Sequence, residues 1–237
     1  MKFHEFGNKA GVPLVFFMGT PQRGEAGSEF SELANQLNVR LICPTRPWYD
    51  VDECQPSFDV CTRRTRQYLN ANRIDSCHVM GGSGGGPFAL HFSCNNPGLV
   101  MGCYLLASMG TPETFTRTVT SPPTRQLLEL FATNSHEDAM ETLGTWGLPR
   151  DLAHGAWADF KVLLGPWDSI PYANAPMVYV HHGEGDENAP IQSIRDLVGR
   201  LPRHEWRVSD AASHASLAQD GSFTELRRIF AEVGERQ

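Results

Sequence analysis

The chain has 237 residues, 41% of them hydrophobic and 20% charged, which suits one sizeable domain or two small ones and a soluble globule able to bury a real core. Its 27 acids outweigh 20 bases, giving a formal net charge of −7. The densest basic run, around Arg63, Arg64 and Arg66, reads as the solvated face of a helix, so nucleic acid is not an expected partner. Apolar runs such as 12–18 are too short to span a bilayer. The opening Met-Lys-Phe-His-Glu-Phe lacks the basic, apolar and small-residue sequence of a secretion signal. A cytoplasmic chain without membrane contact is expected. The six cysteines fit that setting, since no C-x-x-C pair occurs and most fall in apolar runs, where free buried thiols are the expectation.

In chain order, Val12–Met18 reads as a fully buried strand between Gly11 and Gly19. Residues 27–37 place Phe30, Leu33 and Leu37 on one helical face. A strand at 39–43, a loop from Pro44 to Pro56 and a helix at 57–72 follow. A strand at 77–82 then runs directly into glycine-rich sequence, with a helix at 86–95, a strand at 100–107 and a turn at Gly110–Pro112. This alternation predicts an α/β architecture, a mostly parallel central sheet covered by helices on both faces. The rhythm breaks at 111–170, which carries helical patterns (123–133, 136–145, 149–164) and no strand pattern. Alternation resumes with strand 177–180, helix 190–200, strand 204–208 and helix 222–233. The organisation is a core domain of residues 1–110 and 171–237, interrupted by a helical insertion at 111–170.

The segment Val79–Pro87 admits three readings. No Gly-Lys-Ser/Thr follows, so it is not a phosphate loop. Gly84, Gly86 and Ala89 match a dinucleotide fingerprint, but no Asp or Glu lies between Asp75 and Glu113 to hold a ribose. The third reading is G-x-S-x-G, with Gly81, Ser83 and Gly85, a serine on a sharp strand-to-helix turn. A packing-driven turn with an idle serine is the bland alternative.

A serine hydroxyl needs a base, and the base needs an acid to fix its tautomer. In this architecture both should follow the serine, acid first, each on a loop after a strand. Strand 177–180 leads into His181-His182-Gly183-Glu184-Gly185-Asp186, and strand 204–208 leads into the loop that carries His214. Asp186 is preferred as the acid over Glu184 and Glu187 because it lies deeper in its loop, next to the coming helix. His181 and His182 are expected to orient that loop or pack beneath the site. Adjacent strand residues point to opposite faces, so the pair is not a metal site. His204 precedes its strand, and His78 and His91 sit inside regular elements. For an oxyanion, one backbone donor should be Gly84, just after the serine. The other should come from the loop Met18–Gln22, where Pro21 has no N–H and Thr20 is the candidate.

With these residues in place, the sequence resembles the α/β-hydrolase fold superfamily over about residues 12–108 and 176–220. GGSGG at 81–85, HGEGDENAP at 182–190 and SHASL at 213–217 match the family's nucleophile elbow, acid loop and histidine loop. FFMGTP at 16–21 resembles its His-Gly-x-Pro oxyanion loop, with Met18 in the histidine position, a departure that leaves open how the loop is braced. RPWYD at 46–50 resembles its Arg-Pro-Gly-Tyr-Gly segment, with Trp48 and Asp50 replacing glycines. A serine nucleophile argues against the dehalogenase and epoxide-hydrolase branches. By position, 111–170 corresponds to the family's variable cap. The resemblance implies a serine esterase-like hydrolase, acting on an ester, thioester or lactone of a small to medium apolar molecule through an acyl-enzyme, with no metal or organic cofactor. C–C bond hydrolysis, acyl transfer, cofactor-free lyase chemistry and ligand sensing on the same scaffold stay open.

Overall fold

The computed structural model describes residues 1–50, 54–133, 135–210, 212–214 and 223–235. Seven strands among them form one sheet: β1 (Phe3–Gly7), β2 (Val12–Phe17), β3 (Val39–Pro44), β4 (Cys77–Gly82), β5 (Val100–Leu106), β6 (Val178–Gly183) and β7 (His204–Ser209). Their spatial order is β1-β3-β2-β4-β5-β6-β7, with β1 antiparallel to β3 and every other pair parallel. The helices are α1 (Ser31–Gln36), α2 (Phe58–Ala71), α3 (Gly86–Asn95), α4 (Pro112–Thr118), α5 (Pro122–Ala132), α6 (His136–Thr145), α7 (Arg150–Leu163), α8 (Ile191–Val198) and α9 (Thr224–Glu235).

The period of two along the strands sorts the core into two layers. In β2, Val15 and Phe17 face one side, joined by Val79, Leu105 and Val180 of neighbouring strands and packed with side chains of α2, α3 and α8. Leu14 and Phe16 face the other, joined by Leu41, Met80 and Tyr104 and covered from α1 and α9. Both faces of the central strands are buried, which is why they read as continuous apolar runs rather than alternating ones. The chain leaves β2 toward β3 on one side and returns across β2 to form β4 on the other. The crevice at the carboxyl ends of β2 and β4 is therefore the topological switch point, where open α/β sheets place ligands.

The fold departs from the sequence expectation in three places. Residues 3–7 form an unanticipated edge strand. Its pairing to β3 is reinforced by Arg40, which grips Glu5 with two hydrogen bonds of 2.8 and 3.0 Å. Phe3 also stacks on Tyr68 of α2 at 3.9 Å between ring centroids. Both supports are distant in sequence, so five residues with weak alternation gave no local signal. The expected helix at 27–37 is instead a 3₁₀ segment, Gly24–Phe30, followed by the short α1. The segment packs closely on β3, where a Cβ on Gly27 would lie 2.4 Å from Cys43 Sγ. The third is α4, which follows the expected turn directly and was not among the helices read from the sequence. It has Pro112 in its first turn, Glu113 near its start and Arg117 near its end, all favourable to a helix. The described residues between β5 and β6 include helices α4 to α7 and no strand.

Candidate active site

Strand β4 ends at Gly82, and Ser83 takes φ +50°, a left-handed conformation rare for a residue with a side chain. Tight packing around the turn holds it there. A Cβ on Gly81 would sit 2.5 Å from the Gly85 carbonyl oxygen, and one on Gly85 would sit 2.1 Å from that of Phe17. Only glycine fits at either position, so the sequence permits α3 to rise directly over β2 and to lift Ser83 into the switch-point crevice.

His214 reaches the same point from the loop after β7, with Nε2 2.9 Å from Ser83 Oγ. Its Nδ1 lies 2.7 Å from Asp186 Oδ2. A carboxylate only accepts, so Nδ1 carries the proton and Nε2 offers its lone pair to the serine hydroxyl. Asp186 is buried, and its other oxygen accepts the backbone N–H groups of Asn188 at 3.0 Å and Ala189 at 2.8 Å. His182 lies beneath, its Nε2 donating to the Ala189 carbonyl at 2.6 Å. Burial holds its pKa below the ordinary value, against the favourable Ala189 bond and the nearby Asp186 charge. A neutral His182 thus fixes the loop that fixes the acid. Glu184 and Glu187 are exposed. Of the residues following His214, 215–222 lie outside the described set.

The remaining histidines are elsewhere. His181 is fully buried, with Nδ1 2.8 Å from Glu225 of α9. His91 is buried in α3 against Thr62, and burial pushes it down to about 4 despite the opposing charge of Asp59. His78 packs near Tyr104, and His204 is exposed at the start of β7.

The loop Met18–Gln22 faces Ser83, and a Cβ on Gly19 would be 3.3 Å from Ser83 Cβ. Its carbonyls are turned away and held by Arg46: Nη1 donates to Met18 O at 2.6 Å and Nη2 to Gly19 O at 3.2 Å. Gly19 O also accepts from Gln22 N at 2.8 Å. In a trans peptide the N–H points opposite to the C=O, so this arrangement leaves the Thr20 N–H on the side away from Arg46. Likewise Ser83 O accepts from Met109 N at 3.1 Å, which turns the Gly84 N–H to the opposite side of that peptide. Met18 itself is a buried apolar side chain. Arg46 thus braces the loop from below in this chain.

Arg46 is 1% exposed, and its counterion is Asp159 of α7, which is fully buried. Asp159 Oδ1 accepts from Arg46 Nε at 2.7 Å and Trp48 Nε1 at 2.8 Å. Asp159 Oδ2 accepts from Arg46 Nη2 at 2.6 Å, Thr20 Oγ1 at 2.6 Å and the Tyr49 hydroxyl at 2.5 Å. Burial by itself would lower the Arg46 pKa, but the Asp159 charge outweighs it and the guanidinium stays charged. Breaking such a pair by removing one member strands a buried charge, at a cost of about 3–5 kcal/mol. Helix α7 approaches closely because residue 155, one turn before Asp159, is glycine: a Cβ there would lie 2.3 Å from the Tyr49 ring. Sequence reading missed Asp159. The available signal was a carboxylate at i+3 from Ala156 and i−4 from Leu163, inside the helix's apolar stripe.

Two cavities meet at Ser83 and His214. One, of about 240 Å³, has Leu127, Leu143, Trp146, Phe160 and Leu163 among its lining residues. The other, of about 320 Å³, is lined by Phe16, Met18, Gln22, Phe30 and Leu226 among others. Of the tryptophans in 111–170, Trp146 thus borders a cavity. Trp157 stacks on Phe131 at 3.8 Å, and Trp167 meets Phe58 edge-on at 5.9 Å.

A seven-stranded, mostly parallel sheet with a strained serine at its switch point, followed by an acid and a histidine on later loops, defines a protein of α/β-hydrolase fold. Solved structures agree. A carboxylesterase structure from the ammonia-oxidizing thaumarchaeon Nitrososphaera gargenis superimposes with a TM-score of 0.74 at 15% identity, covering 100% of this chain and 96% of that one. An esterase from Exiguobacterium antarcticum gives 0.73 at 14% identity over 97% and 94%. A meta-cleavage product hydrolase from Pseudomonas fluorescens gives 0.67 at 17% identity over 98% and 92%. Neither a protein-family model nor a curated protein sequence matches the chain.

Proposed function

We propose that the protein is a serine hydrolase that cleaves an ester, thioester or lactone of a small to medium apolar molecule through an acyl-enzyme. The observation that carries this reading is the hydrogen-bonded series Ser83–His214–Asp186, at the head of a strained turn and beside an apolar cavity. Ser83 Oγ attacks the carbonyl carbon while its proton passes to His214 Nε2, and Asp186 steadies the resulting imidazolium. The N–H groups of Thr20 and Gly84 receive the negative charge on the former carbonyl oxygen. The intermediate collapses by breaking the bond to the leaving oxygen or sulfur, which takes the proton from His214. Water then repeats the sequence: it loses a proton to His214, attacks the acyl carbon and releases the acid, and Ser83 recovers its proton.

In this reading residues 111–170 form a helical cap on a core of residues 1–110 and 171–237. The placement of Trp146, Phe160 and Leu163 beside Ser83 supports it. The substrate is a small molecule, with neither nucleic acid nor membrane as partner and no cofactor. Among the described residues no helix is long and apolar enough to cross a membrane. A reducing, cytoplasmic setting is consistent with six free cysteines, five of them buried. Burial pushes Cys77, Cys94 and Cys103 up to about 12, so these thiols stay protonated and unreactive.

The test is labelling with a fluorophosphonate, together with turnover of p-nitrophenyl esters of increasing acyl length. Wild type should label and turn over. Ser83→Ala should fold, fail to label and lose on the order of 10³-fold or more in kcat. A Ser83→Ala variant that keeps wild-type turnover would refute the mechanism.

A further inference from the structure

We propose that Asp159 is a positioning residue that builds the oxyanion hole from the helical segment, by tying the loop Met18–Gln22 and its brace Arg46 to helix α7. This rests on the hydrolase reading for its kinetic consequence, though the tie itself does not. The loop has no regular secondary structure around Thr20. Its two ends belong to β2 and the 3₁₀ segment, and its middle is fixed by side chains. Arg46 holds the Met18 and Gly19 carbonyls. Asp159 then holds Arg46 through two nitrogens and the Thr20 hydroxyl directly.

One carboxylate therefore fixes both the peptide before the Thr20 N–H and the side chain after it. Trp48 and Tyr49 complete the shell, so neither oxygen of Asp159 can turn without losing a partner. A fully buried carboxylate shared between an arginine and the loop beside a nucleophile is expensive to assemble for packing alone, since apolar residues of similar size would serve that purpose. It makes sense as a device for directional constraint. Donors to an oxyanion must sit within a few tenths of an ångström of their place before the reaction begins, because their value lies in not having to reorganise.

The same helix supplies walls of the apolar cavity. Phe160 follows Asp159 directly, and Leu163 lies one turn on, with its Cδ1 3.1 Å from where a Cβ on Gly84 would stand. Helix α7 thus touches both sides of the hole, Thr20 through a hydrogen bond and Gly84 through packing. A group that shifts this helix shifts both proposed donors together. Coupling of this kind makes the segment part of the catalytic frame as well as a wall.

The test compares wild type, Asp159→Asn and Thr20→Val, all titrated for active sites with a fluorophosphonate. Thr20→Val keeps the shape and the backbone N–H but removes the hydroxyl tie, so it serves if Asp159→Asn fails to fold. Asp159→Asn should lower kcat on p-nitrophenyl acetate and hexanoate by on the order of 10²-fold, and Thr20→Val by about tenfold, with KM changed by less than about threefold. A trifluoromethyl ketone, which forms a tetrahedral adduct with Ser83, should lose affinity by the same factor as kcat/KM, while the matching methyl ketone should not. The amides of Gly19, Thr20 and Gln22 should exchange with solvent about tenfold faster in both variants. Unchanged exchange with unchanged kcat overturns the proposal, as does an equal loss for both ketones. If wild type turns over no ester and takes up no phosphonate, the hydrolase reading fails. The exchange rates still decide whether Asp159 holds the loop.

Discussion

Replacing Asp186 by Asn isolates the acid's contribution to the proposed mechanism, because the surrounding hydrogen bonds dictate how the new side chain must sit. Asp186 Oδ1 accepts from the N–H groups of Asn188 and Ala189, and only the amide oxygen of an Asn can replace it there. That orientation turns the NH₂ group toward His214 Nδ1, where Oδ2 lies at 2.7 Å in the native site. Two donors cannot face each other, so the imidazole must carry its proton on Nε2 and present a lone pair at Nδ1. Nε2, 2.9 Å from Ser83 Oγ, then has nothing with which to accept the serine proton. The expected loss in kcat is up to about 10⁴-fold, or roughly 5.5 kcal/mol of transition-state stabilisation. The side chains are isosteric, so thermal unfolding should change little by comparison. The assay is steady-state hydrolysis of p-nitrophenyl esters with active-site titration, run beside Glu184→Gln, whose carboxylate is exposed and should matter far less. A loss smaller than about tenfold for Asp186→Asn, or a larger one for Glu184→Gln, would refute the tautomer argument and move the acid elsewhere.

Two further substitutions separate cavity wall from core. Phe160→Ala should enlarge the cavity beside Ser83 and shift the ratio of kcat/KM toward longer acyl chains by about tenfold, read across an ester series. Trp157→Ala removes a ring stacked on Phe131 and should instead cost about 3–5 kcal/mol in denaturant unfolding while leaving chain-length preference alone. His91 sets an acid limb. Its folded pKa of about 4 lies below the unfolded 6.5, so its contribution is fully present above pH 6.5 and is lost as pH falls through 4. The loss amounts to about 3 kcal/mol. His91→Gln should therefore flatten stability against wild type between those pH values. Parallel acid limbs for the two proteins would show that burial does not control this histidine.

The sheet and the turn at Ser83 were legible in the sequence because their determinants are local. Buried parallel strands read as near-continuous apolar runs, and β2 and β5 show them. A serine held at φ +50° between strand and helix needs neighbours without side chains, which GGSGG displays directly. The candidate acid and base were legible as loop residues following strands, since an α/β sheet delivers those loops to one edge. Local signals failed where distant partners decide the outcome. β1 is held by Arg40 and Tyr68, distant in sequence, and the 3₁₀ segment at 24–30 packs against Cys43 at Gly27, where no side chain fits.

Met18 in the proposed oxyanion loop posed a question that no spacing rule could answer. The brace comes from Arg46, 28 residues on, and its counterion from Asp159, 113 residues beyond that. A buried carboxylate is stable only when every acceptor site finds a donor, and its five donors come from Thr20, Arg46, Trp48 and Tyr49. Sequence alone thus determined the strand order's raw material, the strained serine and the loops that could supply its partners. Tertiary structure alone decided which side chains share the buried charge, because that choice is made by complementary geometry between segments far apart in the sequence.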